Sequence, residues 1–383
     1  MKDVDAKASA LAGGAAPQAP GGLRVLVSPL DWGLGHATRM IPIVRYLLSC
    51  GCQVTIAASE ASKDLLLAEF PDLLFLDIPG YRVKYGQKGS QFFLKMAAQA
   101  PRILWAILRE HFWLRSAMRI YRWDAVVSDN RYGLFHRRIP CAILTHQVRI
   151  RTGRAWLDGL LRPFIWALLR RFEVCWVPDM PGVPNLAGAL CHGHMPRHVQ
   201  YIGPLSRFES GPTRLSDRLL VLLSGPEPQR TMWESSLRQE LSQEALPATV
   251  VQGLPGQGVS EAAASEVEWI RHLPATALQA RVRDAGWVVA RSGYSTVMDL
   301  VCLGKAAVLV PTPGQPEQEY LAAHLQEMGL FPFLPQGAFR LGEALVLSAR
   351  SRPADVRFDF HRHRAILRGW LDDIMLRAGG QYV

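Results

Sequence analysis

The stretch that decides the fold is WVVARSGYSTVMD, residues 287–299. Its first four residues form a short apolar run, which is typical of a strand buried on both faces of a parallel sheet. Arg291-Ser292-Gly293 ends this run, and apolar residues recur near helical spacing from Ser295 onward. A second apolar run, Val308–Pro311, follows after Gly304. The stretch therefore predicts a strand, a tight turn, a helix that starts at the strand's carboxyl end, and a second strand.

A helix start in this position is suited to a phosphate group. The first N–H groups of a helix have no partner within the helix, and the helix dipole is positive at that end. Asp299 lies one turn further on and can accept hydrogen bonds from ribose hydroxyls. An ordinary βαβ unit with a glycine turn has the same pattern, so this stretch alone does not establish a nucleotide site.

The composition is that of a folded globular protein with an anionic partner. The 383 residues are 49% hydrophobic and 20% charged, which suggests two or three domains. The net charge is +10 and the sequence pI is about 9.6. Nucleic acid, acidic lipid and a phosphorylated substrate all fit such a charge.

Cysteine usage and hydropathy indicate a reduced, cytoplasmic compartment. The six cysteines form no C-x-x-C pair and mostly lie in apolar runs. Residues 1–22 are rich in Ala, Gly and Pro and lack the apolar core of a secretory signal, so we expect a disordered tail. No apolar run reaches the roughly 18 residues of a membrane helix, although the chain can still lie on a membrane.

Two strand–loop–helix series predict an α/β protein with two Rossmann-like, doubly wound halves. The first series has a strand at 23–30, a glycine-bearing loop at 31–39 and a helix at 41–48. Thr38 stands where a dinucleotide motif has its third glycine, which argues against a nicotinamide or flavin site. The second series opens with a strand at 218–223 and a loop that contains Gly225.

The predicted domains follow from these series. A polar segment at 206–217 is the linker between an N-terminal domain at 23–205 and a C-terminal domain at 218–383. We expect the last helix to be able to pack back on the N-terminal domain. Two halves that face each other form a cleft lined by helix starts, which suits a diphosphate on one side and an acceptor on the other.

Polar residues at predicted strand ends are the candidate catalytic residues. His36, in the first glycine loop, can take a proton from an acceptor hydroxyl. Asp129 and His146 follow two other strands and are alternates, because parallel strands place their carboxyl ends at one edge. A lone histidine that caps or packs a loop is the competing interpretation of His36.

We expect no metal in the site. The only D-x-D pair, Asp3-Val4-Asp5, lies in the tail, so a carboxylate pair for Mg²⁺ or Mn²⁺ is unsupported. Cys191, His192, His194 and His198 cluster in sequence, but their spacing fits no common zinc pattern. Helix dipoles and arginines would then stabilise the charge of a diphosphate.

The segment 92–122 alternates large apolar residues with basic ones. From Arg102 to Arg171 the chain has fourteen arginines and no lysine against four acids. A helix with a basic face and an aromatic–aliphatic face can lie in an anionic membrane interface. A helix that faces the core, with a solvated basic rim, is the alternative.

The stretch 290–304 resembles the donor-nucleotide motif of GT-B glycosyltransferases, in particular family 28, typified by the peptidoglycan lipid-intermediate N-acetylglucosaminyltransferase. Val310-Pro311 followed by Gln318-Glu319 resembles that family's next donor loop, where a Gln-Gln pair contacts the sugar. The loop Gly33-Leu34-Gly35-His36 resembles its amino-terminal glycine loop. The middle of the chain is more similar to a group of bacterial GT-B-like proteins, for instance in Ser128-Asp129-Asn130-Arg131.

This resemblance implies a GT-B fold and a metal-independent glycosyltransferase with a nucleotide-sugar donor, preferably UDP-linked. It implies diphosphate contacts from Arg291 and the turn Ser292, Gly293, Tyr294, Ser295 and Thr296. It further implies a ribose contact from Asp299, a base contact from the backbone of Ile270 and sugar contacts from Gln318 and Glu319. With Gly225 these residues form the predicted donor site, and the predicted acceptor-side residues are Gly33, Gly35, Asn130 and Arg131.

The acceptor is unknown, and we expect it to be lipid-linked or part of the cell envelope. The protein would then work in the cytoplasm, docked peripherally on the inner face of the membrane through 92–122. Two alternatives remain on this scaffold: a nucleotide-sugar 2-epimerase-like isomerase, and a non-catalytic protein that binds nucleic acid or anionic lipid. No nucleic-acid module is recognisable, so we expect no nucleic-acid partner.

Overall fold

The computed structural model describes residues 22–81, 92–150, 155–212, 216–244, 246–255, 266–350 and 357–379. The predicted tail therefore lies almost wholly outside the described residues. Two parallel sheets build the chain, as the apolar runs predict. Because both faces of each sheet are covered, the central strands are buried and mostly apolar, whereas the edge strands 74–77 and 199–201 are partly exposed.

The first sheet has the strand order β3-β2-β1-β4-β5-β6-β7. Its strands are β1 (Arg24–Pro29), β2 (Gln53–Ala58), β3 (Leu74–Asp77), β4 (Ala125–Asp129), β5 (Cys141–Leu144), β6 (Val174–Val177) and β7 (Val199–Tyr201). Its helices are α1 (Leu34–Ser49), α2 (Glu60–Glu69), α3 (Phe92–Tyr121) and α4 (Ala155–Leu169). Strand order reverses between β1 and β4, which is where such sheets bind ligands.

The second sheet has the strand order β10-β9-β8-β11-β12. Its strands are β8 (Leu219–Leu222), β9 (Ala248–Val251), β10 (Val267–Ile270), β11 (Trp287–Ala290) and β12 (Val308–Leu309). Its helices are α5 (Gln229–Gln243), α6 (Ala275–Asp284), α7 (Tyr294–Cys302), α8 (Pro316–Glu327) and α9 (Leu341–Arg350). The predicted strand–turn–helix–strand is confirmed as β11, α7 and β12.

Helix α1 starts earlier than the sequence suggests, and the predicted loop at 31–39 is wrong beyond Gly33. The helix begins at Leu34, directly after Gly33, whose φ of 81° is a left-handed conformation that a glycine adopts without strain. His36 therefore lies in the first turn of a helix, not in a loop.

The last helix, α10 (Arg362–Gly379), packs against the first sheet's domain. Trp370 contacts Trp176 of β6 edge to face, with ring centroids 5.1 Å apart, and Arg377 pairs with Glu173 at 3.0 Å. The chain thus crosses back to its N-terminal half, as expected. Within the described residues, no helix combines the length and apolarity that crossing a bilayer requires.

We predict that Trp370→Ala destabilises the protein by about 3 kcal/mol, because it leaves a cavity against Trp176. Chemical denaturation checks this, with Leu376→Ala on the same helix as the control, since Leu376 is 74% exposed. Equal stabilities of the two variants would show that α10 does not hold the halves together.

Candidate functional site

Two helix starts meet in the cleft between the sheets. The Ser295 hydroxyl, in the first turn of α7, donates to the Gly35 carbonyl in the first turn of α1 at 2.7 Å. A Cβ on Gly35 would lie 3.2 Å from that hydroxyl oxygen, so a side chain there would crowd the contact. Tyr294 adds a second contact, from its hydroxyl to the Pro178 carbonyl at 2.8 Å. The positive ends of two helix dipoles therefore face one cleft.

The three predicted catalytic residues lie together beside these helix starts. His36 Nδ1 is 3.2 Å from Asp129 Oδ1. Asp129 is fully buried, and its two oxygens accept from one edge of the Arg39 guanidinium: Nε lies 2.6 Å from Oδ2, and Nη2 donates to Oδ1. Burial by itself would raise the pKa of Asp129, but Arg39 and His36 outweigh it and lower the pKa to about 2. Asp129 is therefore an ionised group at pH 7.

His146 joins the cluster from the end of β5 and links it to the donor side. Its Nδ1 lies 2.6 Å from Arg39, and its Nε2 lies 2.6 Å from Oε1 of Glu317 on α8. Its ring stacks on Tyr294, with centroids 4.7 Å apart and planes at 3°. Gln147 also donates to Glu317. Both ring nitrogens of His146 are thus occupied within the protein.

His36 is the candidate general base that remains available. Burial lowers the pKa of His36, and the nearby Arg39 acts in the same direction against the opposing effect of Asp129. The imidazole is therefore neutral at pH 7. Its side chain is 13% exposed, and no described protein group hydrogen-bonds its Nε2. Asp129 and His146, predicted as alternates, instead surround it.

Sequence reasoning did not single out Arg39, Gln147 or Glu317. Arg39 lies one helical turn after His36, and this spacing is the signal that could have revealed it. Glu317 directly precedes the predicted sugar-contacting Gln318. Gln147 and Glu317 can be assigned to the cluster only from their contact with each other, which joins the end of β5 to α8.

Arg291 has a different role from the predicted one. It is fully buried, its guanidinium lies 4.1 Å over the Trp233 ring, and burial lowers its pKa to about 9. All five N–H groups find acceptors: the carbonyls of Ser224, Gln229, Val310 and Pro311 and the side chain of Gln336. No N–H remains for a diphosphate, so Arg291 holds the loops that flank the donor site.

Asp299 is likewise engaged inside the protein. Its carboxylate accepts from the Ser206 hydroxyl at 2.7 Å and from Arg207 Nε at 3.0 Å. Burial raises its pKa, although Arg207 opposes that effect. A ribose contact would have to replace one of these partners, so the predicted role of Asp299 stays a prediction.

The remaining predicted donor residues differ in burial and in their hydrogen bonds within the protein. Ser292 donates to the Gln318 carbonyl, and the Gln318 side chain accepts from Thr312 N–H. Glu319 accepts from Gly314 N–H, and the Ile270 carbonyl accepts from Gln252 N–H. The half-buried residues of the α7 start, Gly293, Ser295 and Thr296, are thus the donor residues best placed to meet a ligand.

Gly225 also borders this region, after β8. Its φ is 104°, and a Cβ there would lie 3.2 Å from Thr312 Oγ1. The Thr312 hydroxyl is buried and has no described hydrogen-bond partner. The loops after β8 and β12 therefore approach each other closely, as Arg291 requires.

The predicted acceptor-side residues lie in different surroundings. Gly33 is exposed beside His36, and Asn130 lies at the end of β4 with a φ of 54°. Arg131, in contrast, is fully buried and bonds the Pro29 carbonyl at 2.6 Å and Glu110 at 2.7 Å. Because its charge is paired in the core, Arg131 does not face an acceptor, and that prediction is corrected.

The structure brings Asp179, Cys191 and His192 together, the one potential metal-ligand group among the described residues. The Asp179 carboxylate already accepts three backbone N–H groups, from Met180, Leu186 and Ala187. Burial raises the pKa of Cys191 well above its usual value, and Asp179 adds to this. A carboxylate that organises a loop explains this group without an ion. His194 and His198 lie apart, against Trp166 and the Leu169 carbonyl.

Known proteins match this chain in sequence and in fold. The sequence model of the glycosyltransferase family 28 C-terminal domain matches residues 256–338. The UDP-N-acetylglucosamine--N-acetylmuramyl-(pentapeptide) pyrophosphoryl-undecaprenol N-acetylglucosamine transferase of Methylorubrum extorquens is 45% identical over 74 residues. That match covers 18% of this chain and 20% of the relative, so it spans about a fifth of the relative's length. An uncharacterized glycosyltransferase of Methanosarcina mazei is 23% identical over 80% of this chain and 84% of its own.

Solved structures give the fold of the whole chain. The glycosyltransferase SnogD from Streptomyces nogalater superposes with a TM-score of 0.53 at 15% identity, over 92% of this chain and 96% of its own. A glycosyltransferase of kitacinnamycin gives a TM-score of 0.58 at 16% identity, over 95% and 99%. These neighbours share the GT-B fold.

Residues 256–338 therefore match the family 28 C-terminal domain, and the chain as a whole has the GT-B fold.

The matched family 28 segment contains the donor side of the cleft described above. It includes β10, β11, α7, β12 and α8, and therefore Arg291, Asp299, Gln318 and Glu317. The His36 cluster lies outside this segment, on the first sheet's domain. In the cleft the two sides meet through the Ser295–Gly35 and His146–Glu317 contacts.

We predict that Arg291→Met lowers the free energy of unfolding by about 3 kcal/mol or more, because several buried carbonyls lose their donor. Thermal or chemical unfolding measures this, with Arg340→Ala as the control, since the Arg340 side chain is 70% exposed. If the variant kept its stability but lost nucleotide binding, Arg291 would instead contact the diphosphate directly.

Proposed function

We propose that the protein is a metal-independent glycosyltransferase that moves a hexose or N-acetylhexosamine from a nucleotide sugar to an acceptor hydroxyl. One observation carries this proposal: the starts of α1 and α7 face each other, with Ser295 and Gly35 2.7 Å apart. His36 lies on the first of these turns and the Gly293–Thr296 turn on the second. This arrangement supports the proposal that one cleft binds an anionic leaving group beside a base.

The donor is a nucleoside diphosphate sugar, preferably linked to UDP. The name of the Methylorubrum extorquens relative includes UDP-N-acetylglucosamine as its donor. A fold neighbour, SsfS6 of Streptomyces sp. SF2575, was solved with thymidine diphosphate. The net charge of +10 also suits an anionic substrate.

The proposed reaction uses the cleft in a simple way. The acceptor oxygen attacks the anomeric carbon while His36 takes the hydroxyl proton, and the bond from that carbon to the diphosphate oxygen breaks. The nucleoside diphosphate leaves with the electron pair, and the N–H groups and dipole of α7 stabilise its charge. Helix dipoles thus take the part that a metal ion plays in other transferases.

The Ser295–Gly35 and Tyr294–Pro178 contacts close the cleft in this structure. A donor placed at the α7 start would have to separate at least the first of them. We therefore expect the two domains to open when the donor enters.

We predict that Gly293→Ala abolishes or strongly weakens nucleotide-sugar binding without destabilising the protein. Gly293 has an ordinary φ of −69°, and its added Cβ would meet only Thr296 Oγ1, at 4.0 Å. The methyl group therefore fits the protein but occupies the volume assigned to the diphosphate. Thermal shifts with UDP-, GDP-, ADP- and dTDP-sugars measure the effect; a ligand at 100 times its Kd adds about 2.7 kcal/mol of stability.

Gly342→Ala is the matched control, because Gly342 lies on α9 and its Cβ would meet nothing within 4 Å. It should keep both stability and nucleotide response. Equal thermal shifts of the Gly293→Ala variant and the parent protein would show that the diphosphate does not bind at the α7 start.

We further propose that α3 and α4 dock the protein on an anionic membrane, where a lipid-linked acceptor is reached. Trp105, Leu108 and Phe112 of α3 are each more than half exposed and follow helical spacing. The exposed arginines among them include Arg109, whose guanidinium lies 4.5 Å over the Trp105 ring. The one acid of α3, Glu110, is buried against Arg131, so it does not oppose an anionic surface.

Helix α4 carries a similar exposed row. Trp156, Leu160 and Phe164 recur every four residues and are 65%, 65% and 46% exposed. Helices α3 and α4 share one buried cluster, through Ala106 and Ile107 of α3 and Leu168 of α4. The docking surface is therefore carried by one rigid part of the N-terminal domain.

We predict that the triple variant Trp105→Ala/Leu108→Ala/Phe112→Ala binds phosphatidylglycerol vesicles at least about tenfold more weakly, since each lost side chain removes apolar burial in the interface. Vesicle co-sedimentation measures the binding. The control is Leu67→Ala/Met232→Ala/Val346→Ala, which removes exposed apolar residues elsewhere. Undiminished binding by the first variant, or equal binding to neutral vesicles, would contradict the docking surface.

A further inference from the structure

Arg39 lies between the two histidines of the cluster, and its contacts determine where their protons lie. A guanidinium has only N–H donors, so any ring nitrogen that hydrogen-bonds it must act as an acceptor. Arg39 reaches Nδ1 of His146 at 2.6 Å and Nδ1 of His36 at 2.9 Å. Neither Nδ1 can therefore carry a proton, so each ring has its proton on Nε2.

For His146 the proton assignment is consistent along the whole chain of contacts. Nδ1 accepts from Arg39, and Nε2–H donates to the Glu317 carboxylate at 2.6 Å. Burial would raise the pKa of Glu317, but its contacts with His146 and the nearby His36 and Arg39 outweigh burial and lower that pKa, so this carboxylate remains an acceptor. Glu317 belongs to α8, on the opposite side of the cleft from Arg39.

For His36 two partners compete for the same nitrogen. Nδ1 is 2.9 Å from Arg39 but 3.2 Å from Asp129 Oδ1. Asp129 is already paired with two nitrogens of the Arg39 guanidinium. The closer donor and the satisfied carboxylate both favour Nδ1 as an acceptor.

We propose that Arg39 is a positioning residue that holds His36 with its proton on Nε2, and that Glu317, through His146, keeps Arg39 in place while the cleft is closed. His36 then presents an N–H group while the cleft is closed. It becomes a base only when Arg39 leaves Nδ1, so that the proton can reside there and face Asp129. Opening of the cleft separates Glu317 from His146, and Arg39 is then no longer held in place.

The inference rests on the proposed function only in treating His36 as the base. Several titratable or charged groups face the cluster from the surrounding elements: Arg39 on α1, Asp129 at the end of β4, Tyr132 after it, His146 after β5, Tyr294 on α7 and Glu317 on α8. The two tyrosines stay neutral, because burial raises the pKa of each.

The test is nitrogen NMR of the full-length protein with ¹⁵N-labelled histidine, assigned with His36→Gln and His146→Gln. The couplings and shifts of the ring nitrogens report the tautomer directly, without any substrate. We expect the neutral Nε2–H form for both His36 and His146. A neutral His36 with its proton on Nδ1 would overturn the inference.

The variants Arg39→Lys and Arg39→Met separate geometry from charge. Lysine keeps the charge but lacks the planar fork that reaches three partners, so both variants should move His36 toward the Nδ1–H form. The methionine variant should also raise the His36 pKa, because a cation is lost beside an ionised Asp129. An unchanged His36 tautomer and pKa in both would contradict the proposal.

Glu317→Gln keeps the Arg39–Asp129 pair and tests the link across the cleft if the Arg39 variants do not fold. It should shift the ring-nitrogen signals of both histidines. Glu69→Gln is the control, since Glu69 also contacts the opposite domain, at Ala275 N–H (2.6 Å), but lies outside the cluster. If the ring-nitrogen spectra of Glu317→Gln matched those of Glu69→Gln, Glu317 would not act on the two histidines, and the proposal would be contradicted. The thermal-shift test with Gly293→Ala does not depend on these histidine spectra, so the proposed function and this inference can fail separately.

Discussion

The cleft depends on how parallel sheets satisfy the backbone at their carboxyl ends. Carbonyl groups there emerge from the ladder and must find donors if they stay buried. Two fully buried arginines supply donors to such carbonyls, one in each domain. Arg131 bonds the carbonyls of Pro29 and Pro79, after β1 and β3, while Arg291 bonds four carbonyls around the ends of β8, β11 and β12. The loops that border the cleft are therefore fixed from inside.

A third buried guanidinium, that of Arg39, holds side chains instead of carbonyls. It neutralises Asp129 and bridges His36 to His146, and through His146 to Glu317 on the other domain. Burying these charges would be costly unless each were paired. The pairing links the candidate base to the donor side, so closure of the cleft and the protonation form of His36 are parts of one arrangement.

The fold could be predicted because it depends on periodicity that is local in the sequence. The apolar run 287–290, its glycine turn and the helix from Tyr294 appear where the pattern places them. The roles of the arginines could not be predicted, because Arg291 looks identical in sequence whether it binds a diphosphate or four carbonyls. The His36 cluster was found as three candidates, but Arg39 and Glu317 were missed, since most of their contacts join residues 90 to 171 positions apart.

The central claim is that a nucleoside diphosphate binds between the starts of α1 and α7. Hydrogen–deuterium exchange with and without UDP and a UDP-sugar tests it most directly, because the amides of both helix starts are observed separately. The account predicts protection of residues 293–297 together with 33–37, and no change in α9. Protection confined to other segments, or none at all with a ligand shown to bind, would contradict it.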